Sequence, residues 1–167
     1  NSQNVANALW AFATLGAAPS TATQTALDAA AERLAPRMKP QEVANALWAF
    51  ATLGAPAAAA TRTALDAAAE REAPWMNPQN VANALWAFAT LGAAPAPATW
   101  AALDAAAERG AALMDPQAVA NALFAFAVFD RSPPPAVVDA AARLPGSYFK
   151  GENLRQLFQA HLAELAS

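Results

Sequence analysis

The sequence contains no cysteine and a single histidine, His161, among its 167 residues. The absence of cysteine excludes a disulfide framework, a thiolate nucleophile and a cysteine-ligated zinc site, and one histidine cannot form a paired-histidine metal site. The sequence also has no nucleophile–base pair and no glycine-rich phosphate loop. We therefore expect neither an enzyme nor a bound cofactor or metal.

Charged residues are scarce as well, at 14% of the chain, and ten basic residues stand against thirteen acidic ones. This balance lacks the basic excess that is usual in nucleic-acid-binding modules. The apolar stretches are interrupted by Asn, Asp or Pro well before the roughly 20 residues that a membrane helix needs. We expect no membrane association, and the chain begins inside a repeating pattern rather than ahead of it.

A fixed step of 38 residues relates equivalent positions along most of the chain. It connects a set of asparagines and a set of aromatic residues: Asn7, Asn45, Asn83 and Asn121, then Trp10, Trp48, Trp86 and Phe124. A strict period of about 20 to 50 residues indicates stacked supersecondary units.

Each unit predicts two helices. In the second unit, Pro40 opens a first helix over residues 41–54, because proline suits a first helical turn and glycine the position just past a helix end. A second helix is predicted over residues 61–73, with Thr61 as its N-cap and a proline after it. The predicted fold is an all-α solenoid of about four helix–turn–helix repeats with a divergent C-terminal helical cap.

The repeats are predicted over residues 1–130, in units of about 3–40, 41–78, 79–116 and 117–130. Residues 131–167 are predicted to form a divergent terminal repeat and capping helices, since the terminal units of solenoids usually diverge. The last of these helices is predicted over residues 153–165, whose apolar positions follow helical spacing.

Helical geometry, at about 100° per residue, separates two faces on each first helix. Val5, Leu9 and Phe12 lie on a predicted buried stripe. The opposite arc carries glutamines and asparagines with one aromatic residue at its margin, and stacking the repeats aligns these carboxamides into a series that we call the carboxamide ladder. Its members are Gln3, Asn4, Asn7, Gln41, Asn45, Gln79, Asn80, Asn83, Gln117 and Asn121.

The carboxamide ladder has two interpretations. In the structural one, each asparagine bonds to the backbone of a neighbouring repeat, because a buried unpaired carboxamide costs about 1 to 3 kcal/mol. In the functional one, the carboxamides and the adjoining aromatic rings contact the unpaired bases of single-stranded RNA. The tryptophans likewise either pack between repeats or stack on a ligand.

Positions that vary between near-identical repeats are candidates for ligand specificity, although exposed positions also vary by drift alone. Two such positions lie near the start of the first helix: Asn1, Lys39, Asn77 and Asp115, then Asn4, Glu42, Asn80 and Ala118. Gln24, Arg62 and Trp100 vary near the start of the second helix. The candidate RNA-binding residues are Asn4, Asn7, Lys39, Glu42, Asn45, Asn77, Asn80, Asn83, Asp115 and Asn121, with Arg62 and Trp100 as accessory candidates.

The second helices carry a repeated Asp, Glu and Arg, as in Asp28, Glu32 and Arg33. Their apolar positions, such as Leu27 and Ala31, are predicted to point inward. We interpret the charged set as a solvated convex face with Glu–Arg pairs between repeats, each of which contributes little.

The repeat MxPQxVANALWAFATLG, followed in its fullest form by LGAAPAPATW at residues 91–100, resembles the octotricopeptide repeat of green-algal organelle proteins. The 38-residue length agrees, and the resemblance covers about residues 1–130. Of that family's Pro-Pro-Pro-Glu-Trp element the chain keeps Trp100, whereas Gln24 and Arg62 stand at the equivalent positions. Residues 154–162 are similar to the helix that often precedes a RAP domain in such proteins.

The resemblance implies sequence-specific binding of single-stranded RNA, an organelle mRNA or rRNA, in the chloroplast or mitochondrion. It implies a role in transcript stability, processing, translation or ribosome structure, with ribosomal or other organellar proteins as further partners. We expect RNA affinity to fall steeply with salt through scattered cations: Arg37, Lys39, Arg62, Arg131, Lys150 and Arg155. The alternative is a protein–protein interaction scaffold of the same shape that does not bind RNA.

Overall fold

The computed structural model describes residues 1–54 and 57–145. These residues form eight α-helices and no strand, which confirms the prediction of an all-α solenoid. The helices are α1 (Ser2–Leu15), α2 (Thr21–Leu34), α3 (Pro40–Leu53), α4 (Ala59–Glu72), α5 (Pro78–Thr90), α6 (Pro97–Gly110), α7 (Pro116–Val128) and α8 (Pro135–Ala142). The predicted helix over 153–165 and the segment 154–162 lie outside the described residues.

The helices form two layers. The first helices α1, α3, α5 and α7 pack side by side in one layer, and the second helices α2, α4, α6 and α8 form the other. Short 3-10 turns, Ala35–Arg37, Ala73–Trp75 and Ala111–Leu113, lead from each second helix to the next first helix. The short α8 packs against α7 and α6 as the second helix of the fourth pair. The domain division at about residue 130 stays a prediction.

The core lies between the two layers and repeats with the sequence period. Val43, Leu47 and Phe50 of α3 are buried, and Val81 and Leu85 occupy the equivalent positions of α5. Fully buried alanines lie among them, and their small side chains allow neighbouring helices to approach closely. The predicted apolar stripe of the first helices is therefore confirmed.

Glycine ends the first helices as predicted. Gly16, Gly54 and Gly92 have φ values of 62°, 59° and 60°, the left-handed conformation that a side chain disfavours. Asp130 holds the equivalent position after α7 with φ 50°, which a short polar residue tolerates better than most.

The variable positions at the start of the first helices cap those helices. The side chains of Asn1, Asn77 and Asp115 accept a hydrogen bond from the backbone N–H three residues later, at 2.9, 2.8 and 2.7 Å. Lys39 has no acceptor in its side chain, and the carboxylate of Glu42 instead accepts from the Lys39 N–H at 3.2 Å. In each of these helices a side chain accepts a hydrogen bond from a backbone N–H at the helix start, and the residue that provides the acceptor differs between α3 and the others.

The second helix of the second unit begins earlier than predicted, and Thr61 is not the N-cap of α4. The helix begins at Ala59, and the N–H of Ala58 donates to Asp28 Oδ2 of the preceding pair at 2.9 Å. Thr61 is buried in the first turn, where its hydroxyl donates to the Asp28 carbonyl at 3.3 Å. The acceptor for a backbone N–H at the start of α4 is therefore a carboxylate of the preceding repeat, whereas we had predicted a local hydroxyl.

The following pair repeats this arrangement. Both carboxylate oxygens of Asp66 lie 3.3 Å from the backbone N of Ala96, which donates to them. Burial raises the pKa of the Asp66 carboxyl above its ordinary value, and the Ala96 N–H opposes that rise. In the fourth pair Pro134 stands where an N–H donor would be needed, and Glu108 accepts from the N–H of Ala136 at 3.0 Å.

The repeated arginines also connect one repeat to the next. Arg71 Nη2 donates to the carbonyls of Ala35 and Met38 at 3.1 and 2.9 Å. Arg109 Nη2 likewise donates to the carbonyls of Ala73 and Pro74 in the 3-10 turn of the preceding pair, both at 3.1 Å. Within the described residues the ion pair Arg71–Glu72, at 2.8 Å, lies inside one repeat. The repeated Glu and Arg are exposed as interpreted, but the expectation of Glu–Arg pairs between repeats is wrong, because the arginines Arg71 and Arg109 bond to backbone carbonyls instead.

Truncation of the buried leucines should destabilise the fold. Leu47→Ala or Leu85→Ala is expected to lower the free energy of unfolding by about 2 to 5 kcal/mol, because each leaves a cavity between the layers. Thr52→Ala, at an exposed position of α3, should change it by less than about 0.5 kcal/mol. Chemical denaturation measures both, and equal losses would contradict the assignment of faces.

Asp66→Ala should also destabilise the protein, since it leaves the N–H of Ala96 without its acceptor. The expected loss is about 0.5 to 2 kcal/mol, as for the removal of a helix cap. Glu70→Ala, one turn further along α4 at an exposed position, should cost less than about 0.5 kcal/mol. If thermal melts of the two variants coincide, the bond between Asp66 and the next repeat contributes nothing to stability.

Candidate functional site

The carboxamide ladder lines two depressions on the first-helix layer. The depression between α1 and α3 has a volume of about 250 Å³, and Gln3, Asn7, Lys39, Gln41, Glu42 and Asn45 line it. The depression across α3, α5 and α7 has a volume of about 340 Å³, and Trp48, Gln79, Asn83, Trp86, Gln117 and Asn121 line it. Each depression therefore contains two glutamines and two asparagines from neighbouring repeats.

Two asparagines of the ladder, Asn83 and Asn121, are bonded within their own helices. Gln79 Nε2 donates to Asn83 Oδ1 at 2.9 Å, and Gln117 Nε2 donates to Asn121 Oδ1 at the same distance. The partner is thus a glutamine one turn earlier, and our structural interpretation, a bond to the backbone of a neighbouring repeat, named the wrong partner for these two asparagines. A bond between residues four apart fixes both carboxamides on one helix face.

This bond leaves the other polar group of each carboxamide available at the depression. Within residues 1–54 and 57–145, Gln79 Oε1 and Asn83 Nδ2 have no hydrogen-bond partner, and Gln117 and Asn121 repeat this pattern. A carboxamide oxygen is an acceptor and its NH₂ group supplies two donors. Each of these repeats therefore presents one open acceptor group and one open donor group to a ligand.

The tryptophans both pack between repeats and border the ladder. Trp48 and Trp86 are half-buried against the core, and both line the larger depression. Trp10 at the first repeat is 46% exposed. The indole rings are thus held by the core while part of each ring faces the carboxamides, an arrangement that suits stacking on a planar ligand.

The variable candidates differ in their distance from the ladder. Lys39 and Glu42 line the smaller depression beside Asn7 and Asn45. Asn77, Asn80 and Asp115 are absent from the lining of the larger depression, and Asn80 is 8% exposed. Asn4 is exposed on α1, where its backbone N–H donates to Asn1. The structure therefore brings only one pair of variable residues to the depressions.

The two accessory candidates lie elsewhere. Arg62 is exposed on α4 in the second layer and lines a separate depression with Asp66 and Phe88. Trp100 is 4% exposed, with edge-to-face contacts to Phe126 and Phe129 and the Arg131 guanidinium above its ring at 4.8 Å. A ring enclosed in this way offers no face for a base, so Trp100 serves the core rather than a ligand.

The ladder surface is almost free of charge. The helices α1, α5 and α7 contain no ionisable side chain, and α3 contains only Glu42. Lys39 is the one basic residue among those that line the two depressions.

The described residues contain no cluster of acidic or histidine side chains that could hold a metal ion. None of the described helices is both long and apolar enough to cross a bilayer.

The glutamines Gln41, Gln79 and Gln117 and the indoles of Trp48 and Trp86 were absent from our candidate residues. The signal for them is in the sequence, because each first helix carries glutamine and asparagine one turn apart, with an aromatic residue three positions later. What the sequence does not show is that the glutamine bonds to the asparagine and leaves the donor of the asparagine open.

Residues 39–163 match the family described as Tbc2 translation factor, N-terminal domain. No curated protein matches the sequence. The family match begins at the N-cap of α3 and includes three of the four helix pairs, with every residue that lines the larger depression. Because the match spans well over half of the chain, the protein belongs to the Tbc2 translation factor N-terminal domain family.

Proposed function

We propose that this protein binds single-stranded RNA along the carboxamide ladder and acts in organellar translation. Family membership supports the role in translation, because the family is described by a translation factor. The observation that carries the RNA assignment is the pairing of an open acceptor with an open donor beside a partly exposed indole, as at Gln79, Asn83 and Trp86.

These groups match the chemistry of unpaired bases. Single-stranded RNA is recognised through hydrogen bonds to base edges and through stacking on aromatic rings. In this protein the carboxamides of α5 and α7 supply the hydrogen-bonding groups, and the indoles of Trp48 and Trp86 supply the stacking surface. This is a function of binding, and the proposal includes no catalytic step.

The finer assignments come from the resemblance to octotricopeptide repeat proteins. It favours an organelle mRNA or rRNA as the ligand, in the chloroplast or mitochondrion. It also favours ribosomal or other organellar proteins as additional partners. The description of the matching family as a translation factor domain is consistent with each of these assignments.

A protein ligand is the alternative, and one observation favours it. The ladder surface has almost no cations, and a carboxamide can bond to the backbone of an extended peptide as readily as to a base. A peptide-binding scaffold would bind no RNA, even at low salt. The two proposals therefore separate in a direct binding measurement.

Removal of two ladder carboxamides should weaken RNA binding while the fold is retained. The double variant Asn45→Ala/Asn83→Ala is expected to lower affinity for single-stranded RNA about tenfold or more, since each loses a hydrogen-bonding group at a base edge. Fluorescence anisotropy measures affinity, and circular dichroism checks helicity. Thr63→Ala, exposed in the second layer, is the control and should bind as tightly as the wild type. If the double variant does the same, RNA is not bound at the ladder.

The placement of cations changes the salt dependence that we expected from the sequence. Among the expected cations that the structure describes, Lys39 lines a depression of the ladder, whereas Arg62 lies in the second layer and Arg131 lies over Trp100. Lys150 and Arg155 lie outside the described residues. One neutralised phosphate predicts that affinity falls by less than about tenfold between about 50 and 200 mM salt. A fall of about a thousandfold would contradict binding through base edges, and no affinity at low salt would contradict the RNA proposal itself.

A further inference from the structure

We infer that the ladder prefers a uniform, adenine-rich stretch of single-stranded RNA over a mixed sequence. The inference rests on the proposed RNA function and names its ligand more closely. It follows from three observations: a glutamine and an asparagine one turn apart recur in every repeat, the variable residues at the N-cap positions are used at the helix starts, and the open hydrogen-bonding groups together with an indole fit adenine well.

The glutamines and asparagines that line the two depressions do not vary between repeats. Glutamine stands at positions 3, 41, 79 and 117, and asparagine at positions 7, 45, 83 and 121. Repeat proteins that read different bases at successive steps do so with different side chains in successive repeats. Identical carboxamides on equivalent helices offer the same groups at every step, so they favour the same base at every step.

The variable positions do not provide a means of selecting a different base in each repeat. Asn77 and Asp115 accept from the backbone at the start of their own helices and do not line the larger depression. Lys39 and Glu42 do line the smaller depression, but the Glu42 carboxylate is engaged by the Lys39 N–H at 3.2 Å. Asn77 and Asp115 thus serve as N-caps, and Glu42 supplies the acceptor that the Lys39 side chain lacks.

The open groups then indicate the base. Because Gln79 Nε2 and Asn83 Oδ1 bond to each other, the pair presents the glutamine oxygen as acceptor and the asparagine NH₂ as donor. Adenine carries an amino donor next to a ring-nitrogen acceptor, as cytosine also does, and carboxamides are the usual side-chain partners of adenine. Its two fused rings also offer a large face to an indole such as Trp86. On a surface with so few cations, these base contacts decide affinity.

The first experiment compares RNAs of equal length that are all adenosine, all uridine, all cytidine or mixed, bound to the 167-residue chain at low salt. We expect the adenosine RNA to bind at least about tenfold more tightly than the mixed RNA. If the mixed, uridine or cytidine RNA binds as tightly, the inference is overturned while the proposed function stands. If no RNA binds, the proposed function is overturned.

The second experiment changes one ladder group at a time. Asn83→Asp keeps an acceptor for Gln79 Nε2 and replaces the open donor with an acceptor, so the ratio of adenosine to mixed affinity should fall severalfold. Thr63→Asp adds the same charge in the second layer and should leave that ratio unchanged, which controls for repulsion of RNA. An unchanged ratio in Asn83→Asp overturns the inference.

The third experiment exchanges the variable pair for its counterpart in the next repeat. Lys39→Asn/Glu42→Asn keeps a side chain that can cap α3, so the fold should be retained, as thermal melting will check. The preference among the four RNAs should stay the same as in the wild type. A changed preference would assign base choice to the variable positions and would overturn the inference that the ladder is uniform.

Discussion

The second helices α4 and α6 begin with backbone N–H groups that they cannot satisfy from their own side chains, and the preceding repeat supplies the acceptor. Ala58 and Ala96 have no capping oxygen, and Asp28 and Asp66 accept their N–H groups across the repeat boundary. By contrast, α2 has a local cap in Ser20, whose hydroxyl accepts from Thr23 at 3.2 Å. Helix formation and repeat stacking are therefore coupled in this layer, and one is incomplete without the other.

This coupling explains where the charged residues lie. Asp28, Asp66, Arg71 and Arg109 are all used in bonds to the neighbouring repeat, and all belong to second helices. The first helices need no such bonds, because their starts are capped locally and their packing is apolar. The first layer is left almost neutral as a result, and its polar side chains remain open to a ligand.

The fold could be predicted from the sequence because its signals are local and repeated. Pro40 and Gly54 mark the ends of a helix, and the period identifies a solenoid before any contact is known. The role of Asp28 could not be predicted, because helical spacing places it on the outer arc and its partner lies 30 residues away in the next repeat. Trp100 was misplaced for a similar reason, since the aromatic rings that enclose it come from α7 and the turn after it.

The candidate site was predicted in part. The ladder follows from angles on a helix, and the depressions lie where the stacked rows place them. The variable residues were harder to interpret, because variation at a helix start has the same appearance whether it serves a ligand or a cap. Lys39 with Glu42 and Asn77 with its own acceptor are two solutions to one requirement, and only the hydrogen bonds reveal that they are equivalent.

The rigidity of the ladder bears on how it would bind. Trp48 and Trp86 are held by the core, and the bonds from Gln79 to Asn83 and from Gln117 to Asn121 restrict the carboxamides before a ligand arrives. Ordering a long side chain on binding costs about 0.5 to 1.5 kcal/mol, so side chains that are already ordered lose less. A neutral surface gains little from phosphates, and pre-ordering is the means by which it can still bind with useful affinity. The same rigidity would limit adaptation to different ligand groups, so a repeating surface of this kind would suit a repeating ligand such as the one we infer.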